Sequence, residues 1–190
     1  MAVSRFNPDY PDAGLVQIVP ASVTVGSGSG SVDGNGNVTF SGASTVSINN
    51  CFSDTYKFYK IVFEYLGTGA GADVRFRLRD NTTDNTGSYY GAGYYARYTG
   101  TSGMFGAVNG GAQFYLQPLN TTYASGGNIE LYRKIGGTIV SMTSSWHQVQ
   151  DAQTVHYGGY NAAGTIFNGF SLVPTSGNMT GEIAIYGYRK

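Results

Sequence analysis

DVRFRLRD, residues 73–80, alternates Val74, Phe76 and Leu78 with Arg75, Arg77 and Arg79 without a break. Successive side chains of a β-strand point to opposite faces, so three apolar groups share one face and three cations the other. Just upstream, Tyr56 to Leu66 reads as a longer strand, with Tyr59, Ile61, Phe63 and Tyr65 on one face and Lys60, Val62 and Glu64 on the other. The turn Gly67–Gly71 between the two runs predicts a β-hairpin. Three like charges in a row repel unless something opposes them. A solvated face balanced in part by Glu64 on the adjacent strand is the favoured reading of the arginines, and an inter-subunit contact is the other.

Outward from this pair the pattern stays β. VTF (38–40) and TVSI (45–48) are short strands around the turn Ser41-Gly42-Ala43. Further strands are expected at Tyr94–Tyr98, Ala112–Gln117, Ile129–Arg133, Thr138–Met142, Trp146–Val149, Thr154–Tyr157, Thr165–Val173 and Glu182–Tyr188. Turn clusters such as Asn109-Gly110-Gly111 and Gly136-Gly137 separate them. No segment of ten or more residues has helical periodicity, and no repeat recurs along the chain. Many short strands at this spacing predict an all-β fold, a β-sandwich or jelly roll, over residues 38–190. Ahead of it, GSGSGSVDGNGN (26–37) has the composition of a flexible loop, a linker or a hairpin tip. Residues 1–25 hold one or two short strands interrupted at Pro20, after an extended arm (1–14) with Pro8 and Pro11. Such an arm either frays or docks on a neighbouring subunit, which makes Phe6 and Tyr10 candidate inter-subunit residues together with Arg75, Arg77 and Arg79.

With 190 residues the chain is long enough to bury a real core. Charged residues make up 12%, about half the usual share, while Gly (29) and Tyr (16) are over-used. That mixture suits turns, strands and tyrosine-bearing surfaces. The formal net charge is zero, so nothing electrostatic points to nucleic acid, and no apolar run is long enough for a membrane-spanning helix. MAVSRFNPDYPDAGL lacks a basic region followed by an apolar run, and a lone Cys51 forms no internal disulfide. Folding in a reducing cytoplasm is therefore expected. Without a secretory signal, the N-x-T sequons at Asn37, Asn81, Asn120 and Asn178 read as a by-product of composition.

Catalysis needs positioned acids, bases, nucleophiles or metals, and the sequence offers little. His147 and His156 lie in separate strands with no Cys or carboxylate at a recognised metal spacing. Cys51 beside Phe52 reads as a buried, inert thiol. A glycosidase needs two carboxylates facing each other across a cleft; Asp80, Asp84, Asp151, Glu64, Glu130 and Glu182 are available, and nothing in the sequence selects a pair. DNTTDN (80–85) could ligate calcium through Asp80 and Asp84, but Asx-type turns explain it as well. No enzyme activity, cofactor or metal is expected.

What remains is surface. SYYGAGYYARY (88–98) carries Tyr89, Tyr90, Tyr94, Tyr95, Arg97 and Tyr98. Tyrosine offers apolar area with a polar tip at low conformational cost, which suits recognition of sugars or proteins. Alternate rings could equally fill a core, because a Tyr-Tyr step sends one ring to each face. Trp146 beside His147 is a third candidate, although a lone tryptophan is most often core.

TVSINNCFSDTYKFYKIVFEYLG, followed by a Gly-rich turn and VRFRLRDN, resembles a module common in structural proteins of tailed bacteriophages. EIAIYGYRK resembles the closing strand of that family, so the likeness spans roughly residues 38–190, anchored at its two ends. The resemblance implies a jelly-roll domain in a tail fibre, tail tip or head decoration, with no catalytic residues to carry over. It further implies a virion location, contacts with other virion proteins, and a homo-oligomer, a trimer on the family pattern. The resulting expectation is a non-enzymatic tail-associated module that recognises host surface carbohydrate through residues 88–98. A capsid decoration protein that stabilises the head is the alternative.

Overall fold

A computed structural model describes residues 14–68, 72–118, 121–133, 140–148 and 152–188. The chain is all-β, with no helix among the described residues. Among the described residues sixteen strands follow in order: β1 Leu15–Gln17, β2 Ser22–Val25, β3 Ser29–Val32, β4 Val38–Ala43, β5 Val46–Asn49, β6 Phe58–Gly67, β7 Asp73–Asp80, β8 Thr83–Asp84, β9 Tyr89–Arg97, β10 Ser102–Gly111, β11 Phe114–Pro118, β12 Ser125–Arg133, β13 Val140–Gln148, β14 Gln153–Asn161, β15 Gly169–Pro174 and β16 Met179–Tyr188.

They form two antiparallel sheets. The larger runs β10-β9-β14-β13-β12-β6-β16-β4-β3, with β1 also on β16; the smaller runs β11-β7-β15-β5-β2, with β8 on β7. Between them lies one core. Tyr59, Ile61 and Phe63 of β6, Ile129 of β12, Tyr157 of β14 and Ile183 of β16 face Phe76 and Leu78 of β7, Phe114 of β11 and Phe170 of β15, all within 3% of full burial. Ring pairs cross the layer: Tyr89 meets Phe114 at 4.7 Å edge-on, and Phe52 bridges Tyr59 (4.8 Å) and Phe170 (5.9 Å).

The hairpin expected of residues 56–80 does not form. β6 pairs with β12 and β16 in the large sheet, whereas β7 pairs with β11 and β15 in the small one. The chain crosses the sandwich between Gly67 and Asp73, so the two apolar faces meet across the core instead of lying side by side. Alternation fixed which side chains face inward and said nothing about the pairing partner. VTF and TVSI behave alike: β4 and β5 sit in opposite sheets.

A solvated arginine face balanced by Glu64 is also overturned. Glu64 belongs to the other sheet, and Arg75 and Arg79 are 9% and 8% exposed. Residues 80–85 fold back, with Asn85 N–H donating to Leu78 O, and lay Asp84 over the stripe. Arg79 donates to Asp84 and to Thr82 O, and also to Ser171 Oγ (2.9 Å), Ser47 Oγ (3.0 Å) and Asn49 Oδ1 (3.2 Å). Arg77 donates to Gln113 Oε1 at 2.9 Å, and Asp84 lies 3.8 Å from it. Arg75 pairs with Asp73 at 3.0 Å and stacks on Tyr115, 3.4 Å from the ring centroid. Arg75, Arg77 and Arg79, the candidate inter-subunit residues, each have a partner inside their own chain. Asp84 is taken up by the arginines, and Asp80 Oδ1 accepts from Asn81 Nδ2.

The Gly/Ser-rich segment 26–37 contains a strand. β3 pairs with β4 in register from Ser29↔Ser41 to Val32↔Val38. Asp33 then closes the turn, its Oδ1 accepting from Asn35 N–H (2.9 Å) and Asn37 N–H (2.8 Å). Phe6 and Tyr10 of the expected arm lie outside the described residues.

Candidate functional site on the outer face of the large sheet

Strand register assigns every outward side chain of the large sheet to a rung. One rung runs Met104, Tyr94, His156, Ser145, Asn128, Val62 from β10 through β6. Another runs Asn109, Tyr90, Tyr160, Ser141, Tyr132, Phe58, and the Phe58 ring meets Tyr188 of β16 edge-on at 6.5 Å. Between these rungs lie Ala92, Gly158, Thr143, Glu130 and Lys60. Every outward position of β13 from Ser141 to Ser145 is therefore a small hydroxyl residue, flanked by larger groups on β12 and, except at Gly158 beside Thr143, on β14.

The flanking groups pair away from β13. Tyr90 stacks on Tyr160 at 5.1 Å and 15°, on the β9 side. Tyr94 packs on His156 at 5.3 Å, again from β9. Across β13, Phe58 of β6 backs Tyr132 at 5.1 Å. Glu130 is held by Lys60 Nζ at 3.3 Å and by the Tyr188 hydroxyl, which donates at 2.8 and 3.0 Å. Burial, and then that contact with Glu130, push the Tyr188 phenol above its ordinary pKa. The result is a furrow along β13. Two hollows lie in it, one of about 340 Å³ reaching Tyr94, Asn128, Ser145, His156 and Gly158, the other of about 250 Å³ reaching Phe58, Glu130, Tyr132 and Ser141. They share Thr143.

The six residues expected to bind within 88–98 divide by strand parity. Tyr90 and Tyr94 stand on this outer face, and Tyr94 is 59% exposed. Tyr89 does not: its ring is fully buried, its oxygen accepts from Leu78 N–H (2.8 Å) and donates to Asn85 O (3.1 Å), and burial pushes its pKa up to about 12. Its assignment as a surface contact is corrected on that ground. Tyr95 points inward and is half-buried, with the Arg97 guanidinium 5.3 Å from its ring. Tyr98 is 77% exposed in the turn after β9, away from the furrow strands. Trp146 is core, on the inner face of β13 against Phe105 at 5.7 Å. His147 lies beyond Ser145 on the outer face of β13, opposite Thr154 and diagonal to His156 on the neighbouring strand. Cys51 is buried, and desolvation drives its thiol far above the usual range.

Sequence reading missed Phe58, Tyr132, Tyr160 and the serine floor. Their signal was parity: each falls at an outward position only once the strand is correctly bounded. Glu64 and Glu182 were likewise unselected. They stand directly opposite each other on β6 and β16, both exposed, beside a hollow of about 500 Å³ that also reaches Asn37, Val62, Gly126 and Ala184.

No family model matches this chain, and no curated protein matches it. Among solved structures it is similar to peanut lectin with a nine-residue peptide, at 10% identity over 86% of this chain and 91% of that one, with a TM-score of 0.27. It is also similar to a protein of unknown function from Shewanella oneidensis MR-1, at 9% identity over 93% and 79%, with a TM-score of 0.28. Likenesses at these scores carry no argument about function.

Proposed function

We propose that this chain is a non-enzymatic recognition module of a phage particle, displayed on the tail, that holds host surface glycan on the outer face of its large sheet. The observation behind this reading is the pairing of Tyr94 with His156 and of Tyr90 with Tyr160, on one exposed face, beside a floor of Ser and Thr hydroxyls. Rings supply the flat apolar faces on which the C–H faces of a sugar rest, and hydroxyls satisfy its polar edge. The particle assignment rests on the sequence resemblance and on the low-charge, tyrosine-rich surface. Attachment of purified protein to host cells tests the reading. Tyr94→Ala and Tyr160→Ala should each lower it by tenfold or more with the melting temperature unchanged. Attachment that persists in both variants would move recognition elsewhere, and label spread over the head of immunogold-stained particles would favour a decoration protein.

Hydrolysis of the glycan is a second reading, with one observation in its favour: Glu64 and Glu182 face each other beside a hollow. Retaining glycosidases set two carboxylates at such close range, but their acid holds its proton through burial, and both of these side chains are exposed. Release of reducing ends from host polysaccharide, abolished by Glu182→Gln, would replace adhesion with turnover.

A further inference from the structure

We infer that the furrow along β13 takes an unbranched, uncharged glycan lying parallel to the strand, with one pyranose standing on edge between Tyr132 and Tyr160. This deepens the recognition reading and rests on it. Tyr160 and Tyr132 sit on the strands either side of β13, two strand spacings or about 9.6 Å apart. Tyr90 covers Tyr160 from the β9 side and Phe58 covers Tyr132 from the β6 side, so the remaining free faces look at each other across Ser141. A gap of that width accommodates one saturated ring between two aromatic faces and leaves no room for a branch beside it. Both walls are open to solvent above the floor, with Tyr160 44% and Tyr132 42% exposed.

The floor sets the direction. Ser141, Thr143 and Ser145 present a hydroxyl at every second residue, over about 13 Å from first to last. The two hollows lie end to end along β13 and both reach Thr143, so the open space follows the strand. Beyond the ring slot the walls become Glu130 and Asn128 on one side and Gly158 and His156 on the other, groups that pair with hydroxyls or amides. Glu130 already has Lys60 and the Tyr188 hydroxyl as partners. A carboxylated or sialylated chain would bring its charge against that carboxylate with no unpaired cation among the furrow residues named here, so the ligand class is neutral. Gly158 keeps the β14 wall low at mid-furrow, where a built Cβ would approach Met142 O no closer than 4.0 Å.

Immobilised wild-type protein is presented with neutral linear oligosaccharides of one to six sugars, with and without N-acetyl groups, and with their sialylated counterparts. Affinity should rise with length to about three sugars, the span of the 13 Å floor, and then level off. Sialylation should lower it. Ser141→Trp places a ring in the slot and should abolish binding while leaving the melting temperature equal or higher. Thr143→Val removes one hydroxyl without changing shape and should weaken binding about three- to tenfold. Binding that survives Ser141→Trp overturns the furrow assignment while leaving glycan recognition elsewhere on the face intact. Failure of wild type to bind any neutral linear probe, in a protein whose attachment to cells is lost in Tyr94→Ala, overturns the ligand class alone. Failure to attach to cells as well removes the recognition reading with it.

Discussion

The two outward faces of the sandwich are built on the same alternation and end in opposite states. On the small sheet, Arg75, Arg77 and Arg79 project outward, and the chain returns at once to cover them with Asp84, Thr82 and Tyr115. On the large sheet, Tyr90, Tyr94, Tyr132 and Tyr160 project outward, and no described residue closes over the Ser/Thr furrow between them. Composition does not separate these outcomes, since arginine is the more hydrophilic group and is the one buried. The separating factor is whether nearby chain supplies a partner. A cation with fixed acceptors becomes structure, while a ring with only a neighbouring ring stays available. The first face should therefore respond to mutation in stability and the second in binding.

Arg79 gives the largest test of that division. Arg79→Leu removes the cation that Asp84, Ser47, Ser171 and Asn49 share, leaving Asp84 with Ser171 Oγ and the more distant Arg77, and should lower unfolding free energy by about 3–5 kcal/mol in urea titration. A loss under about 1 kcal/mol would mean that the arginine face is solvated after all.

Gly159 and Gly158 are adjacent and face opposite ways, which sharpens the comparison within one strand. A Cβ at Gly159 would lie 2.5 Å from Tyr90 O and 2.8 Å from Phe114 Cε1, so Gly159→Ala should cost about 2 kcal/mol or more by forcing backbone apart. Gly158→Val should stay within about 0.5 kcal/mol of wild type while reducing glycan affinity. Thermal melts beside a binding isotherm read both effects at once.

Tyr89 belongs to the structural side although it opens the tyrosine-rich segment. Tyr89→Phe leaves Leu78 N–H and Asn85 O without their partner and should remove about 1–3 kcal/mol. Burial raises the Tyr89 and Tyr157 phenols to about 12, above the model-peptide value near 10. The fold thus prefers the protonated phenol. Stability from this source is complete below pH about 10 and is lost as pH rises toward 12, on the order of 2 kcal/mol for each group. A stability profile that stays flat through pH 12 would contradict that burial, and Tyr89→Phe should shallow the decline.

The smallest effect is expected at Glu182. It opposes Glu64 across β6 and β16, and like charges in that position repel. Glu182→Gln should raise stability by about 0.2–1 kcal/mol, most clearly at low salt. No gain would mean that solvent already screens the pair.

Fold class was legible because period-2 alternation is a local property. Val74, Phe76, Leu78 and the inward set of β6 are core as the pattern demands. Pairing was not legible, because Gly67–Gly71 reads alike whether it turns a hairpin or carries the chain between sheets. β13 was read as two strands, Thr138–Met142 and Trp146–Val149, because Thr143-Ser144-Ser145 is polar on both faces; one continuous strand runs through it. That misreading hid the furrow floor. β10 was not expected at all: SGMFGAVNGG is rich in glycine, and Gly106 and Gly110 take φ of 58° and 70° at its irregular register. Of the proposed contacts, Tyr90 and Tyr94 could be read in sequence, while Tyr132 and Tyr160 required knowing which strands flank β13.

The place of β16 sets the order in which this molecule can be made. Residues 179–188 fill the gap between β6 and β4 and also receive β1, so these earlier strands find their neighbour only after more than a hundred further residues have followed β6. Until then β6 and β4 present unpaired edges, the state in which β-proteins are most exposed to mispairing. Closure must wait for a loop of more than a hundred residues, which predicts slow folding and a nascent chain dependent on holding factors. Once the late strand is seated, the same connection becomes a lock: a protease must open the middle of the sheet, not fray an edge, before it can withdraw the strand that joins β1, β4 and β6.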